Sequence, residues 1–119
     1  MDDHPQLAHL TEIGLGYPET TVERSGSHAT FKVRKKVFAY FLDNHHGDGK
    51  VAVCCKTQLG EHEDLARSDP ETFYVPAYIG HRGWVAIRLD RGRVDWKEIG
   101  AFVRASYRAV APKKLASMV

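Results

Sequence analysis

The residues best placed to meet another molecule lie in "FKVRKKVFAYF", residues 31–41. Lys32, Arg34, Lys35 and Lys36 set four cations within five positions, between two aromatic-rich runs. At the tip of a β-hairpin such a cluster suits nucleic-acid phosphates, because each Lys or Arg contact releases condensed counterions. A β-ribbon also fits a DNA groove. Arg82 and Arg88, near Trp84, would extend the same surface. The competing account is structural: hairpin tips and edge strands carry Lys to stay soluble and unpaired. Four bases in five residues lack the specificity of a helix-turn-helix or zinc-finger pattern.

Other chemistries have less behind them. Seven histidines are present, including His45-His46, His62 and His81, without a Cys-x-x-Cys, His-x-x-x-His or His-Glu-x-x-His pattern. His62, between Glu61 and Glu63, reads as a solvated helix residue. None of Ser25, Ser27 and Ser106 sits in Gly-x-Ser-x-Gly. Cys54 and Cys55 are adjacent, so on a strand they face opposite ways and serve neither one disulfide nor one metal ion. They are expected to be reduced, with at least one buried. Gly14-x-Gly16 lacks the preceding strand and third glycine of a dinucleotide site. The sequence therefore predicts no enzyme, no metal and no cofactor. A second binding chemistry is an apolar pocket between the sheet and the last helix, lined by Tyr78, His81, Trp84 and Tyr107, for a small ligand or a protein partner. The simpler role for Trp84, Ser106 and Tyr107 is in the fold, with Trp84 anchoring the sheet–helix interface.

These residues need elements to hold them. Pro5 suits a first helical position, and Leu7, Leu10 and Ile13 give that helix an apolar stripe that Gly14 and Gly16 end. Strands are predicted over Thr20–Arg24, Ala29–Val33, Val37–Leu42 and Val51–Cys55, divided by "SGSH" and "DNHHGDGK". A second helix is expected at about Leu59–Arg67. Phe73–Ala77 reads as an edge segment because it contains Pro76. In "HRGWVAIRLD", Trp84, Ala86 and Arg88 alternate with Val85, Ile87 and Leu89. Asp95, with Glu98 three residues on, opens the last helix, along which Ile99, Phe102, Val103, Tyr107 and Val110 recur at helical spacing. Short strand-to-strand links favour antiparallel pairing. The expected fold is α+β: a two-layer sandwich with an antiparallel sheet of about five to six strands, packed by N-terminal, middle and C-terminal helices.

The 119 residues suit one domain, 1–119. A net charge of +2 does not argue for nucleic acid by itself. Charge is nonetheless polarised: residues 1–23 carry five acids and no Lys or Arg, and residues 104–119 carry Arg104, Arg108, Lys113 and Lys114 and no acid. The N-terminus lacks an apolar signal core, and no apolar run reaches membrane-spanning length. A cytoplasmic monomer with no membrane contact is the simplest expectation.

The segments "FKVRKKVFAYF", "HRGWVAIRLD" and "VDWKEIGAFVRASYRAVAPKKLA" resemble the MmcQ/YjbR-like family of small bacterial proteins. "LGYPETTVE" is similar to that family's entry into its first strand. The most specific matches are Gly83-Trp84-Val85 and Ser106-Tyr107 followed by Lys114-Leu115. The resemblance implies a two-layer α+β domain whose sheet has been likened to a double-wing DNA-binding motif, and no catalytic apparatus. DNA as partner thus rests on fold-level analogy. The family usually has Gly-Lys where this chain has Lys35-Lys36. Either the turn type differs here, or Lys35 accepts a left-handed conformation that favours glycine.

Overall fold

The computed structural model describes residues 4–77 and 79–119, with the side chains of His46 and His81 outside the description. Tyr78 also lies outside the described residues. Helix α1 (Pro5–Leu15) leads into strands β1 (Thr20–Ser25), β2 (His28–Val33), β3 (Lys36–Asp43) and β4 (Val51–Lys56). Helix α2 (Glu61–Ser68), strands β5 (Phe73–Tyr74) and β6 (Trp84–Arg88), and helices α3 (Trp96–Val110) and α4 (Lys113–Ala116) follow. The six strands form an open antiparallel sheet in the order β1-β2-β3-β4-β6-β5. This is the α+β architecture that the pattern predicts.

Strand alternation assigns the two faces of the sheet. Phe31, Val33, Phe38, Phe41, Val53, Cys55, Val85, Ile87 and Leu89 point to one side. Leu7 and Leu10 of α1, Leu65 of α2, Ile99, Val103 and Tyr107 of α3 and Leu115 of α4 pack into the same cluster. All four helices therefore share one face, and this layer holds the main core. The other face carries a smaller cluster of Ala52, Cys54, Trp84 and Ala86. Val37, Tyr40, Leu42, Tyr74 and Ile79 pack against it.

This division corrects the role expected of Trp84. Its side chain sits on the outer face beside Tyr40, with ring centroids 5.3 Å apart, and not at the sheet–helix interface. The helices instead cover the unbroken aliphatic set Val85, Ile87 and Leu89. Of the edge segment expected over Phe73–Ala77 as a short strand or extended chain, Phe73–Tyr74 forms the strand, and Pro76 cannot donate to a ladder. His62 is buried at 4% exposure, not solvated.

Ser106 and Tyr107 tie α3 to the sheet. The pairing register of β2 with β3 shifts between Phe31 and Lys32, leaving Phe38 as an extra residue. This β-bulge lets Phe38 and Ala39 both face the helices. The fully buried Ser106 hydroxyl donates to the Phe38 carbonyl and accepts from the Lys56 amide at 2.8 Å. The Tyr107 hydroxyl donates to the Pro18 carbonyl at 2.7 Å and so pins the chain between α1 and β1. At its start, α3 is capped by the Asp95 carboxylate, which accepts from the amides of Lys97 and Glu98 at 3.1 and 3.2 Å.

Candidate nucleic-acid interface

The β2–β3 hairpin turns through Arg34 and Lys35, both left-handed at φ 49° and 70°. Two positive φ values in a two-residue loop match the twist of the flanking strands, and glycine is the usual residue for the second. Lys35 thus takes the strained conformation, and Lys36 begins β3. Ala39 pairs with Cys55, and β4 ends at Lys56, so the hairpin projects about two residues, or roughly 6 Å, beyond its neighbour.

Strand pairing neutralises half of the basic cluster. Arg34 donates from Nε and Nη2 to the two carboxylate oxygens of Glu19 at 2.8 and 2.9 Å. These hydrogen bonds hold the Glu19 carboxyl below its usual range and raise the Arg34 guanidinium. Lys32, on the outer face, pairs with Glu23 at 3.1 Å. Both carboxylates come from β1 or its first approach, which lies beside β2. Such exposed pairs contribute little to stability, but they lower the net positive charge that a phosphate would meet.

Lys35 and Lys36 are exposed and have no ion-pair partner among the described residues. Arg82 shares their end of the sheet: it precedes Gly83 and Trp84, and Trp84 pairs with Lys56. It too is exposed and without a carboxylate partner among the described residues. Gly83 makes this junction possible. Its φ is 90°, its carbonyl accepts from the Thr57 amide at 2.8 Å and hydroxyl at 2.7 Å, and an added Cβ would lie 2.9 Å from the Thr57 oxygen.

Arg88 stands apart. It pairs with Ala52 at the opposite end of the sheet, and its guanidinium holds the Asp90 carboxylate at 3.0 and 3.1 Å. That contact lowers the Asp90 carboxyl and raises Arg88. Arg104 donates to the Val119 carbonyl at 2.9 Å, and Arg108 faces a cleft on the helix layer. The basic residues do not merge into one continuous face. Of the six cations singled out in the sequence, Lys35, Lys36 and Arg82 share an end unpaired, and Lys56 is the residue that sequence reasoning missed there.

The expected pocket of Tyr78, His81, Trp84 and Tyr107 does not assemble from its described members. Trp84 lies on the outer face, and Tyr107 is fully buried on the helix face. Tyr78 and the His81 side chain fall outside the described residues.

The thiols also occupy opposite faces, Cys55 in the main core and Cys54 in the outer cluster. Both are free. Burial pushes Cys54 up to about 12 and raises Cys55 as well, which suppresses the reactive thiolate. Several histidines serve packing: His4 Nε2 meets Asp43 at 2.7 Å, His28 meets the Asp43 carbonyl at 3.1 Å, and His9 stacks on Trp96 at 3.9 Å. Among the described residues, no three His, Cys, Asp or Glu side chains converge to hold a metal ion.

Comparison with known proteins places this geometry in a family. No curated protein matches the chain. The structure is similar to the crystal structure of Deinococcus radiodurans protein DR2400, which has a DUF419 domain. The TM-score is 0.70 at 19% identity, covering 87% of this chain and 76% of that one, a likeness of fold alone. The YjbR family model matches residues 15–109, from the end of α1 almost to the end of α3. That span contains the hairpin, the Gly83-Trp84-Val85 junction and the Ser106-Tyr107 tie, and the chain belongs to the YjbR family.

Proposed function

We infer that this protein is a non-enzymatic, cytoplasmic, monomeric DNA-binding module that grips the phosphate backbone of duplex DNA with one end of its sheet. The observation that carries this reading is the projecting hairpin tip. Lys35 and Lys36 stand beyond the neighbouring strand without carboxylate partners among the described residues. Arg82 and Lys56 lie at the same end and supply further cations. A narrow ribbon bearing point charges can enter or straddle a groove and neutralise phosphates on both sides.

The aromatic residues favour duplex over single-stranded nucleic acid. Base stacking needs exposed rings. Trp84 is 7% exposed, and among the described residues the exposed large apolar side chains are Leu15, Leu59, Val75 and Met118. Phosphate contacts position a protein without reading sequence, so the binding is expected to be weak, salt-sensitive and indifferent to base sequence. The test is fluorescence anisotropy with a labelled 20-base-pair duplex and the matching single strand at low and rising salt. Saturable duplex binding that weakens with salt is expected. Absence of binding at low salt, or preference for the single strand, contradicts the reading.

A further inference from the structure

A second run of cations lies outside the hairpin. From residue 104 to residue 119 the chain holds Arg104, Arg108, Lys113 and Lys114 and no acid. The fold carries this run to the same end of the molecule as the hairpin tip. Helix α3 starts beyond the far end of β6 and runs back, so that Ser106 reaches the Phe38 carbonyl and the Lys56 amide. The Tyr107 hydroxyl donates to the Pro18 carbonyl at 2.7 Å, and Glu19, the next residue, holds the Arg34 guanidinium of the hairpin turn. The last turn of α3 and the hairpin turn therefore flank residues 18 and 19.

Beyond Val110 the chain leaves α3 through Ala111 and Pro112 and enters α4. Leu115 packs into the main core, and the Arg104 guanidinium donates to the Val119 carbonyl at 2.9 Å, which folds this segment back against α3. Lys113 and Lys114 precede the buried leucine and are exposed, as is Arg108. Lys32 and Arg34 of the hairpin meet carboxylates, but none of these three has an ion-pair partner among the described residues. Glu61, which lines the same cleft as Arg108, turns its carboxylate to the Gln58 amide at 3.2 Å. Glu98 lies ten residues before Arg108, about 15 Å away along the helix axis. A helix dipole favours a cation within the last turn and so accounts for Arg108, but Lys113 and Lys114 lie past the Ala111-Pro112 break. The result is a patch of one sign on the helix layer, separate from the hairpin tip.

We propose, resting on the duplex-binding reading above, that Arg108, Lys113 and Lys114 form a second phosphate contact, made to the same duplex as the hairpin tip. A helix with its side chains is about 10–12 Å across, so this patch stands roughly one helix width from the sheet. The major groove is about 12 Å wide, and phosphates of one duplex can meet both patches at once.

Anisotropy titrations of a labelled 20-base-pair duplex over rising salt test this. Arg108→Gln/Lys113→Gln/Lys114→Gln is expected to flatten the slope of log affinity against log salt by roughly 2 to 3 units. Arg104 is left in place because it anchors the chain end. The control removes equal charge at the opposite end: Arg67→Gln/Arg93→Gln/Lys97→Gln, with Arg67 in the last turn of α2 and Arg93 and Lys97 around the start of α3. It is expected to leave the slope unchanged. All six positions are exposed, and circular dichroism checks that both variants stay folded. A wild-type slope in the α3–α4 variant, or equal flattening by the control, would overturn the second contact. Duplex binding that still depends on Lys35, Lys36 and Arg82 would then leave the hairpin reading standing, whereas no saturable duplex binding by the wild-type chain would overturn both.

Discussion

Ser106→Ala removes one oxygen and little volume, yet the structure predicts a large effect. The hydroxyl is fully buried and joins two backbone groups, the Phe38 carbonyl within the β3 bulge and the Lys56 amide at the end of β4. Alanine leaves both without that partner. A buried backbone group stripped of its hydrogen bond costs about 1–3 kcal/mol. The Lys56 amide is only part-buried and water offsets some of its loss, so the sum comes to about 2–4 kcal/mol by the same scale. In a domain of this size that lowers Tm by roughly 10 °C. Urea denaturation followed by far-UV circular dichroism, with a parallel thermal melt, measures it. An unchanged m-value with a lower midpoint would mark a loss of native stability. A destabilisation below about 0.5 kcal/mol, the level of an ordinary surface substitution, would refute the view that Ser106 satisfies the bulge.

Lys35→Gly is expected to stabilise the protein by about 0.5–1 kcal/mol, because relief of a left-handed residue at φ 70° outweighs glycine's unfolded-state entropy. A lower midpoint in urea would contradict that turn geometry. Gly83→Ala is expected to destabilise by at least about 1–2 kcal/mol from its φ of 90° alone, with the 2.9 Å approach to the Thr57 oxygen adding to the cost; an unchanged melt would count against it. Folded-state thiol pKa values raised by burial mean that the unfolded chain ionises first. Stability is therefore full below the ordinary thiol value of 9.0 and falls as pH climbs from there towards about 12 for Cys54. Urea midpoints at pH 8, 9.5 and 11 check this, and Cys54→Ala is expected to flatten the decline.

The hairpin shows what the sequence carried and where reading it residue by residue failed. The strand before Arg34 follows from the alternation of Phe31 and Val33, but the bulge at Phe38 breaks alternation after it, and the strands expected over Ala29–Val33 and Val37–Leu42 leave a three-residue link where Arg34 and Lys35 form a two-residue loop. The pairing of Arg34 with Glu19 was also encoded. Counting back from the Gly26-Ser27 turn, along the register in which Ser25 faces His28, sets Glu19 across from Arg34 and Glu23 diagonal to Lys32. Four cations taken without their cross-strand neighbours overstate the charge. Trp84 failed for another reason. Alternation separates it from Val85, Ile87 and Leu89 but does not say which set faces the helices, and ring size was the wrong guide. The start of α3 was legible because Asp95 caps it through local bonds. The cleft beside α3 was not, because it arises from the spacing between α3 and the segment joining β4 to α2, and no motif within either encodes that spacing.

The central claim is that unpaired cations at one sheet end contact phosphate while the cross-strand pairs do not. The slope of log affinity against log salt for duplex DNA tests it directly. Lys35→Gln/Lys36→Gln/Arg82→Gln is expected to flatten the slope by roughly 2 to 3 units, close to one for each phosphate no longer neutralised. Deleting the pairs whole, as Glu19→Gln/Glu23→Gln/Lys32→Gln/Arg34→Gln, is expected to leave the slope unchanged. Equal slopes for the wild-type chain and the triple variant, or a slope flattened chiefly by deleting the pairs, would contradict the account.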